Sequence, residues 1–261
     1  MATKVIDISS YQRGVDFNKV KAAGITGVIL RAGYTGYGSN HTMCKDDQFE
    51  THYKGAKAAG LNVGAYYYSG ALTEDFAVKE ANWFLSLIKG KTFELPVYMD
   101  VEESHSTTNM PGLGKTKLTA VVYKWCETVE KAGYFTGFYT AKSWCNTYVD
   151  MSKLSRFTFW LAQWSSKPTY TGDYAMWQYS DAGSVPGISG RVDMNYCYKD
   201  FPALIKAAGL NGFTKQPTPA PTPQPEKMYT LTISPLSKYN VDRLTKVLAD
   251  MNFYGKVTEV K

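Results

Sequence analysis

The sequence predicts an α/β fold: an irregular eight-stranded β/α (TIM-like) barrel, followed by a Pro-rich linker and a small βαβ module. Three observations lead to this prediction. Glycines that can end a helix recur directly before apolar runs. In all, eight runs along the chain have the length and composition of strands, and one later stretch carries prolines at alternate positions. Strands that alternate with helices predict a parallel sheet, and eight of them within about 210 residues favour closure into a barrel.

The repeating unit appears in three segments that share one order: "VKAAGITGVILRAGY" (20–34), "AKAAGLNVGAYYYSG" (56–70) and "VEKAGYFTGFYTAK" (129–142). In each, a helix runs into a glycine, Gly24, Gly60 or Gly133, that can adopt the left-handed C-cap conformation, and a β-rich run follows. Asp16 and Thr73 are the predicted N-caps of two further helices, because each precedes an apolar-periodic run.

The predicted strands are 4–11, 27–34, 63–69, 96–102, 136–141, 157–164, 175–180 and 192–198. The connections "SSKPTYTGD" and "DAGSVPGISGR" are too short for full helices. The barrel is therefore expected to lack helices in its second half.

The chain divides by composition into a barrel at 1–212, a Pro/Thr-rich linker at 213–227 and a terminal module at 228–261. Alternating prolines predict a semi-rigid, extended linker. The terminal module is predicted to form a strand, then a helix that begins near Ser237 or Asn240, and then a second strand. It is shorter than the roughly 40 residues at which domains usually fold alone, so it is expected to need a partner, most simply a second copy of itself.

Net charge, cysteine spacing and the length of apolar runs limit the classes of protein to which this chain can belong. The formal net charge of +6 is compatible either with an anionic partner or with a solubilising surface excess. No cluster of lysine and arginine indicates nucleic-acid binding, and no apolar run suits a membrane span or a signal peptide. We expect a chain made in the cytoplasm, with four free thiols, no metal and no cofactor.

The stretch "LPVYMDVEES" (95–104) carries the first chemical signal, because an apolar strand ends in acids. Side chains alternate along a strand, which assigns Leu95, Val97, Met99 and Val101 to one face and Tyr98, Asp100 and Glu102 to the other. Glu103 then points away from this second face. Asp100 and Glu102 are expected to project side by side from the carboxyl end of the strand.

Two further acids belong to the same end of the predicted barrel. Asp7 closes the first strand, and Asp193 lies on the eighth, which meets the first. Crowded carboxylates raise one another's pKa, so one member can hold a proton near neutrality and act as a general acid. Glycosidic-bond cleavage needs such an acid and a second carboxylate. The alternative for any single acid at a strand end is a helix cap or a salt-bridge partner.

Aromatic side chains at the same level offer flat faces for sugar rings: Tyr66, Tyr68, Tyr139, Trp160, Trp164 and Trp177. The alternative is ordinary packing within the core. The three histidines are isolated and no serine lies in a GxSxG turn, which argues against a nucleophilic triad and against a metal site.

With these motifs the sequence resembles the glycoside hydrolase family 25 muramidases, the Chalaropsis-type lysozymes common among phage endolysins. The matching segments, in order, are "IDISSYQ", "KDDQFETHYKGAKAAGLNVGAYYYS", "PVYMDVE", "GFYT", "WLAQW" and "YAMWQYSDAGSVPGISGRVDMNYC". The resemblance implies cleavage, with retention, of the β-1,4 bond between N-acetylmuramic acid and N-acetylglucosamine.

The resemblance also implies roles for individual residues. Glu102 matches the general acid/base, and Asp100 matches a carboxylate that acts as nucleophile or orients the substrate acetamido group. Asp7 and Asp193 match flanking acids. Gln163 and Gln178, within the last two motifs, join Tyr66, Tyr68, Tyr139 and Trp160 as candidate substrate-binding residues.

The implied partner is bacterial peptidoglycan, reached after release from the host cytoplasm. The module at 228–261 is then a wall anchor, an oligomerisation element, or the mate of a C-terminal fragment starting at Met228. A bacterial autolysin and a catalytically silent wall-binding barrel remain as alternatives. A chitinase-like barrel is disfavoured, because Tyr98 stands where such an enzyme would carry a further acid.

Overall fold

The computed structural model describes residues 2–36, 41–103, 110–215 and 236–250. Nine strands form one sheet: β1 (Thr3–Ile8), β2 (Gly27–Thr35), β3 (Met43–Lys45), β4 (Asn62–Tyr68), β5 (Val97–Asp100), β6 (Thr136–Ala141), β7 (Thr158–Ala162), β8 (Met176–Gly183) and β9 (Val192–Cys197). The described α-helices are α1 (Phe17–Ala22), α2 (Phe49–Ala58), α3 (Glu74–Ile88), α4 (Gly114–Lys131), α5 (Met151–Leu154), α6 (Phe201–Ala208) and α7 (Lys238–Asp250), and two 3₁₀ turns lie at Pro111–Leu113 and Lys142–Trp144.

The sheet closes into the predicted eight-stranded barrel. Its order is β1, β9, β8, β7, β6, β5, β4, β2, and β1 pairs in turn with β2. The short β3 was not predicted, and it lies outside the ring as an antiparallel partner of β2. No helix lies between β7 and β8 or between β8 and β9, so the expected irregular second half is confirmed.

The expectation of a fully parallel sheet is wrong at one strand. β9 runs antiparallel to both β8 and β1, whereas the other ring pairs are parallel. A parallel return needs a crossover of a dozen or more residues, and the connection from Gly183 to Val192 is shorter. The chain therefore turns back as a hairpin.

Local signals placed the first helices correctly. Asp16 accepts hydrogen bonds from the backbone N–H groups of Asn18 and Lys19, and Thr73 accepts one from Phe76. The predicted helix-ending glycines at 24, 60 and 133 all have positive φ. This conformation is inexpensive only for glycine, which explains why each helix stops there and a strand can follow.

The core has two layers. Outward-facing strand residues such as Val97, Met99 and Val101 pack beneath the helices, while Tyr98 packs inside the barrel. Leu95 departs from the predicted alternation, because it lies before β5 begins and its side chain joins the interior cluster. The interior is also closed from below by α6, through Phe201 and Ile205.

The chain divides into two compact units, Met1–Pro217 and Thr218–Lys261. In the second unit α7 begins close to the predicted helix start. The predicted strands of the terminal module and most of the predicted linker lie outside the described residues, so the boundaries at 212 and 227 stay predictions. Among the described residues, no helix is both long and apolar enough to cross a membrane.

Candidate active site

Asp7 and Asp193 lie opposite each other in the antiparallel pairing of β1 with β9. In the same register Val5 faces Asn195, and Asn195 faces Gln178 on β8. Residues two apart on a strand share a face, so these polar side chains point together into the barrel mouth. Asn195 Nδ2 and Gln178 Nε2 both donate to Asp7 Oδ2, at 2.8 and 3.1 Å.

Burial governs the protonation of this pair. It raises the pKa of Asp7 to about 6, although the hydrogen bonds from Asn195 and Gln178 pull that pKa downward. Burial and the adjacent charge of Asp7 raise the pKa of Asp193 to about 8. The pair therefore retains at least one proton at neutral pH, since two adjacent buried carboxylates resist double ionisation.

Asp100 is the last residue of β5 and pairs with Tyr68 on one side and Tyr139 on the other. Its side chain is buried, and among the described residues no group donates a hydrogen bond to Oδ1. Burial, followed by the charges of Glu102 and Asp7, raises its pKa well above the usual value. The cation of Arg31 acts in the opposite direction.

Glu102 follows two residues later and is partly buried. Burial, and then the negative charge of Asp193, raises its pKa to about 7. Glu103, one residue further along and outside the strand, is exposed. The barrel thus brings the four candidate carboxylates of Asp7, Asp100, Glu102 and Asp193 into one electrostatically coupled group, in which Glu102 is close to half protonated at neutral pH.

Gln178 connects this group to two aromatic side chains. Its Oε1 accepts hydrogen bonds from Tyr139 Oη at 2.9 Å and from Trp164 Nε1 at 3.0 Å. With Nε2 directed to Asp7, both ends of the amide are committed, so its orientation is fixed. The Trp164 side chain is 59% exposed beside the acids, which leaves a flat apolar surface open to a ligand.

The other candidate binding residues differ in access. Trp160 is only 2% exposed, donates to Asn195 Oδ1 at 2.8 Å and packs against the rings of Tyr66 and Tyr139. Tyr68 is partly exposed and neighbours Asp100.

Two residues of the motifs after β7 point elsewhere. Gln163 is bonded through both ends of its amide to Thr169 in the loop after β7, rather than to the acids. The expectation that Trp177 lines the mouth is wrong, because it packs in the outer core layer.

Two functional neighbours were missed from the sequence. Asn195 lies two residues beyond Asp193, so strand alternation alone would have placed it on the same face. Arg31 interrupts the apolar run of β2, which is itself a signal. Its guanidinium bonds Asp46 Oδ2 at 2.8 Å and Ser10 Oγ at 2.9 Å, and it lies 4.9 Å from the ring centre of Tyr34.

Among the described residues, no group of three or more His, Cys, Asp or Glu side chains is arranged to hold a metal ion. The site is a set of carboxylates, amides and aromatic rings. It lies at the carboxyl ends of the parallel strands, where barrel enzymes carry their active sites, and beside the start of the antiparallel β9.

Comparison with known proteins assigns the family. A model of the glycosyl hydrolases family 25 matches residues 6–188, well over half of the chain. The chain belongs to glycosyl hydrolase family 25. The matched range contains Asp7, Asp100 and Glu102 and stops before Asp193.

Individual relatives of this family 25 chain agree. The autolytic lysozyme of Clostridium acetobutylicum is 34% identical over 197 residues, which cover 74% of this chain and 55% of that protein. Lysozyme M1 of Streptomyces globisporus is 30% identical over 205 residues, with coverage of 73% and 66%. This chain therefore spans between about half and two thirds of the length of these curated relatives.

Among solved structures, the CTP1L endolysin, whose activity is regulated by a secondary translation product, superposes with a TM-score of 0.67 at 29% identity. The superposition covers 78% of this chain and 70% of the endolysin.

Proposed function

We propose that this protein is a peptidoglycan hydrolase of the N-acetylmuramidase (lysozyme) type. It cleaves the β-1,4 bond between N-acetylmuramic acid and N-acetylglucosamine and retains the anomeric configuration. The observation that carries the proposal is Glu102, a carboxyl with a pKa of about 7 beside the buried Asp100. Family membership and the two lysozymes among its relatives support the choice of substrate.

In the proposed reaction Glu102 donates its proton to the glycosidic oxygen and afterwards accepts one from the incoming water. A carboxyl half protonated at neutral pH suits both steps. Asp100 acts either as nucleophile or as the group that orients the substrate acetamido. The unpartnered Oδ1 offers an acceptor to an acetamido N–H, and the Arg31 charge favours the ionised form. Asp7 and Asp193 tune this pair and hold the sugar.

The proposed substrate contacts differ in access to the mouth. Tyr66 and Tyr68, which are partly exposed, are proposed to meet sugar rings, and the buried Tyr139 to support the binding surface from beneath. Gln178 is proposed to fix Asp7 and Tyr139 in place. Trp160 contributes through Asn195 and its neighbouring rings. Gln163 contributes through the loop it braces with Thr169.

The biological setting is proposed to be lysis of a bacterial host by a phage. The enzyme would then be made in the host cytoplasm and act on the wall after release. Similarity to the CTP1L endolysin supports this setting, whereas similarity to the C. acetobutylicum autolytic lysozyme supports a bacterial autolysin instead. A net charge of +6 favours approach to anionic wall polymers in either case.

The terminal segment 228–261 is proposed to bind wall or to pair with another copy of itself, including a fragment that starts at Met228. The CTP1L endolysin, whose activity is regulated by a secondary translation product, supports a search for a second product of this chain. Intact mass measurement of the purified protein would show a second species near the fragment mass. A single full-length species, sedimenting as a monomer with or without 228–261, would contradict pairing and leave wall binding to be tested by pull-down.

Digestion of purified peptidoglycan tests the proposed reaction. Wild type and Glu102→Gln are compared, and borohydride reduction followed by mass spectrometry identifies the new reducing sugar. Reducing-end muramic acid from wild type alone is the expected result. If neither protein cuts walls from a broad bacterial panel, the barrel is a silent wall-binding module. If Glu102→Gln cuts as fast as wild type, the assignment of the acid fails.

A further inference from the structure

Glu80 is a buried carboxyl that the proposed chemistry does not use. It lies on α3 with no exposed surface, outside the group of four acids. Its Oε1 accepts hydrogen bonds from the backbone N–H of Gly70, at 2.8 Å, and from the hydroxyl of Thr35. Its Oε2 accepts one from Ser69 Oγ at 2.5 Å. Three donors from two strand ends thus converge on one side chain.

These donors stand at the rim of the barrel mouth. Thr35 is the last residue of β2, and Ser69 and Gly70 directly follow β4. The backbone N–H of Ser69 in turn donates to the carbonyl oxygen of Asp100 at 3.1 Å. A single residue, Ser69, therefore links the carboxyl of Glu80 to the backbone of Asp100.

The hydrogen bond from Ser69 to Asp100 is important because β5 ends at Asp100, two residues before Glu102. On the other side of the strand, Val101 N–H donates to the carbonyl oxygen of Tyr139 at 3.0 Å. These two hydrogen bonds fix the backbone from which both Asp100 and Glu102 project. A loss of either would let the two carboxyls move relative to each other, and small misplacements of reacting groups cost rate.

Packing alone does not account for a glutamate at this position. Burial raises its pKa to about 7, so holding the ionised form costs free energy that an apolar side chain would not require. The hydrogen bonds from Ser69, Thr35 and Gly70 offset part of that cost. A carboxyl accepts directional hydrogen bonds, which an apolar side chain cannot do. These bonds fix the ends of β2 and β4 in one geometry.

We propose that Glu80 is a positioning residue for hydrolysis: through Ser69 it holds the end of β5 so that Asp100 and Glu102 keep their mutual geometry. The inference rests on the proposed muramidase function. Glu80 itself touches neither the substrate nor the reacting atoms.

The test compares Glu80→Gln with a matched control, Glu94→Gln. Glu94 is also a nearly buried glutamate that accepts a backbone hydrogen bond, but at the amino-terminal end of β4, from Val63 N–H, and it is paired with Lys57 in addition. Both variants remove a buried carboxylate that accepts a backbone hydrogen bond at one end of β4, so both are expected to lower the unfolding midpoint. Only Glu80→Gln is expected to lower kcat, by about tenfold or more, with KM changed less than about twofold.

Backbone amide exchange supplies a readout that does not depend on activity. In Glu80→Gln the Ser69 amide, which bonds the Asp100 carbonyl, is expected to exchange at least about tenfold faster, and in Glu94→Gln it is not. Ser69→Ala should reproduce the loss of kcat, and adding it to Glu80→Gln should cost little more, because both act on one link.

Equal kcat in the two glutamine variants would overturn the proposal. A wild type that fails to cut peptidoglycan would instead overturn the proposed reaction. The exchange rate of the Ser69 amide would still show whether Glu80 holds the end of β5. Unchanged exchange at Ser69 in Glu80→Gln would then show that Glu80 does not hold this strand end.

Discussion

Asp7 and Asp193 face each other across β1 and β9, the pairing at which the barrel departs from parallel order. In a parallel arrangement Asp193 would not meet Asp7 in this register. The reversed strand therefore does more than close the ring. It creates a coupled carboxyl pair whose second member raises the pKa of Glu102.

Replacing Asp193 with asparagine should move the alkaline limb of the activity profile to lower pH. Asp193 has a pKa of about 8, so it is only partly ionised where Glu102 titrates. Asparagine removes that fraction of negative charge, so the pKa of Glu102 falls from about 7. A general acid must be protonated, and a lower pKa means that activity is lost earlier as pH rises. The expected displacement is roughly a few tenths to one pH unit in kcat/KM. A limb that stays in place or moves upward would show that Asp193 does not act on Glu102.

The three acids that end the segment 100–103 should differ sharply in their effect on catalysis. Glu102→Gln removes the donated proton and should lower kcat by about a hundredfold or more. Asp100→Asn should be nearly as damaging. Glu103→Gln is the matched control, because its side chain is exposed, and it should keep wild-type turnover. A large loss in Glu103→Gln with normal folding would contradict the assignment of faces.

The same raised pKa has a consequence for stability. The folded pKa of Glu102, about 7, lies above its ordinary value of 4.5, so the folded state holds the proton more tightly than the unfolded chain. Its contribution to stability is therefore lost as pH rises through the window from 4.5 to about 7. Glu102→Gln has no such loss.

Thermal unfolding at several pH values measures this effect. Relative to wild type, Glu102→Gln should gain stability between pH 5 and pH 8, on the order of 1 to 2 kcal/mol. Glu103→Gln should show no such pH-dependent gain. A stability difference between Glu102→Gln and wild type that is constant across this range would mean that Glu102 does not titrate in the folded protein as its surroundings indicate.

Local patterns allowed much of this architecture to be predicted. Alternation within β5 separated Tyr98 from Val97 and Met99, because strand geometry depends on near neighbours only. The helix-ending glycines and the cap at Asp16 are likewise local. The predicted alternation is wrong at Leu95, because this residue precedes the strand and its periodicity does not apply there.

Long-range pairing could not be predicted in the same way. The reversal of β9 follows from a short connection, yet the prediction took strand direction from the helix–strand alternation of the first half. Trp177 and Trp164 are both aromatic and close in sequence to the same motifs, but only the sheet register shows that Trp177 faces outward. The roles of Asn195 and Arg31 depend on partners far along the chain.

The amino-terminal end of the barrel offers a test of stability that is independent of the chemistry. Asn211, in the left-handed conformation and fully buried, donates through Nδ2 to the carbonyls of Phe93 and Leu95 and accepts through Oδ1 from Phe135 N–H. It thereby joins the segment after α6 to the residues that lead into β5 and β6. Asn211→Ala leaves these two carbonyls and one N–H without their hydrogen-bond partner and adds backbone strain. It should therefore lower the free energy of unfolding by about 3 kcal/mol or more.

Asn146→Ala is the matched control, because Asn146 is also left-handed but exposed, with a single long side-chain bond to Met151. It should cost about 1 kcal/mol. Urea unfolding followed by tryptophan fluorescence measures both, since all six tryptophans belong to the barrel unit. Equal losses of unfolding free energy in the two variants would mean that only backbone strain destabilises Asn211→Ala. Water would then replace the hydrogen bonds of the Asn211 side chain.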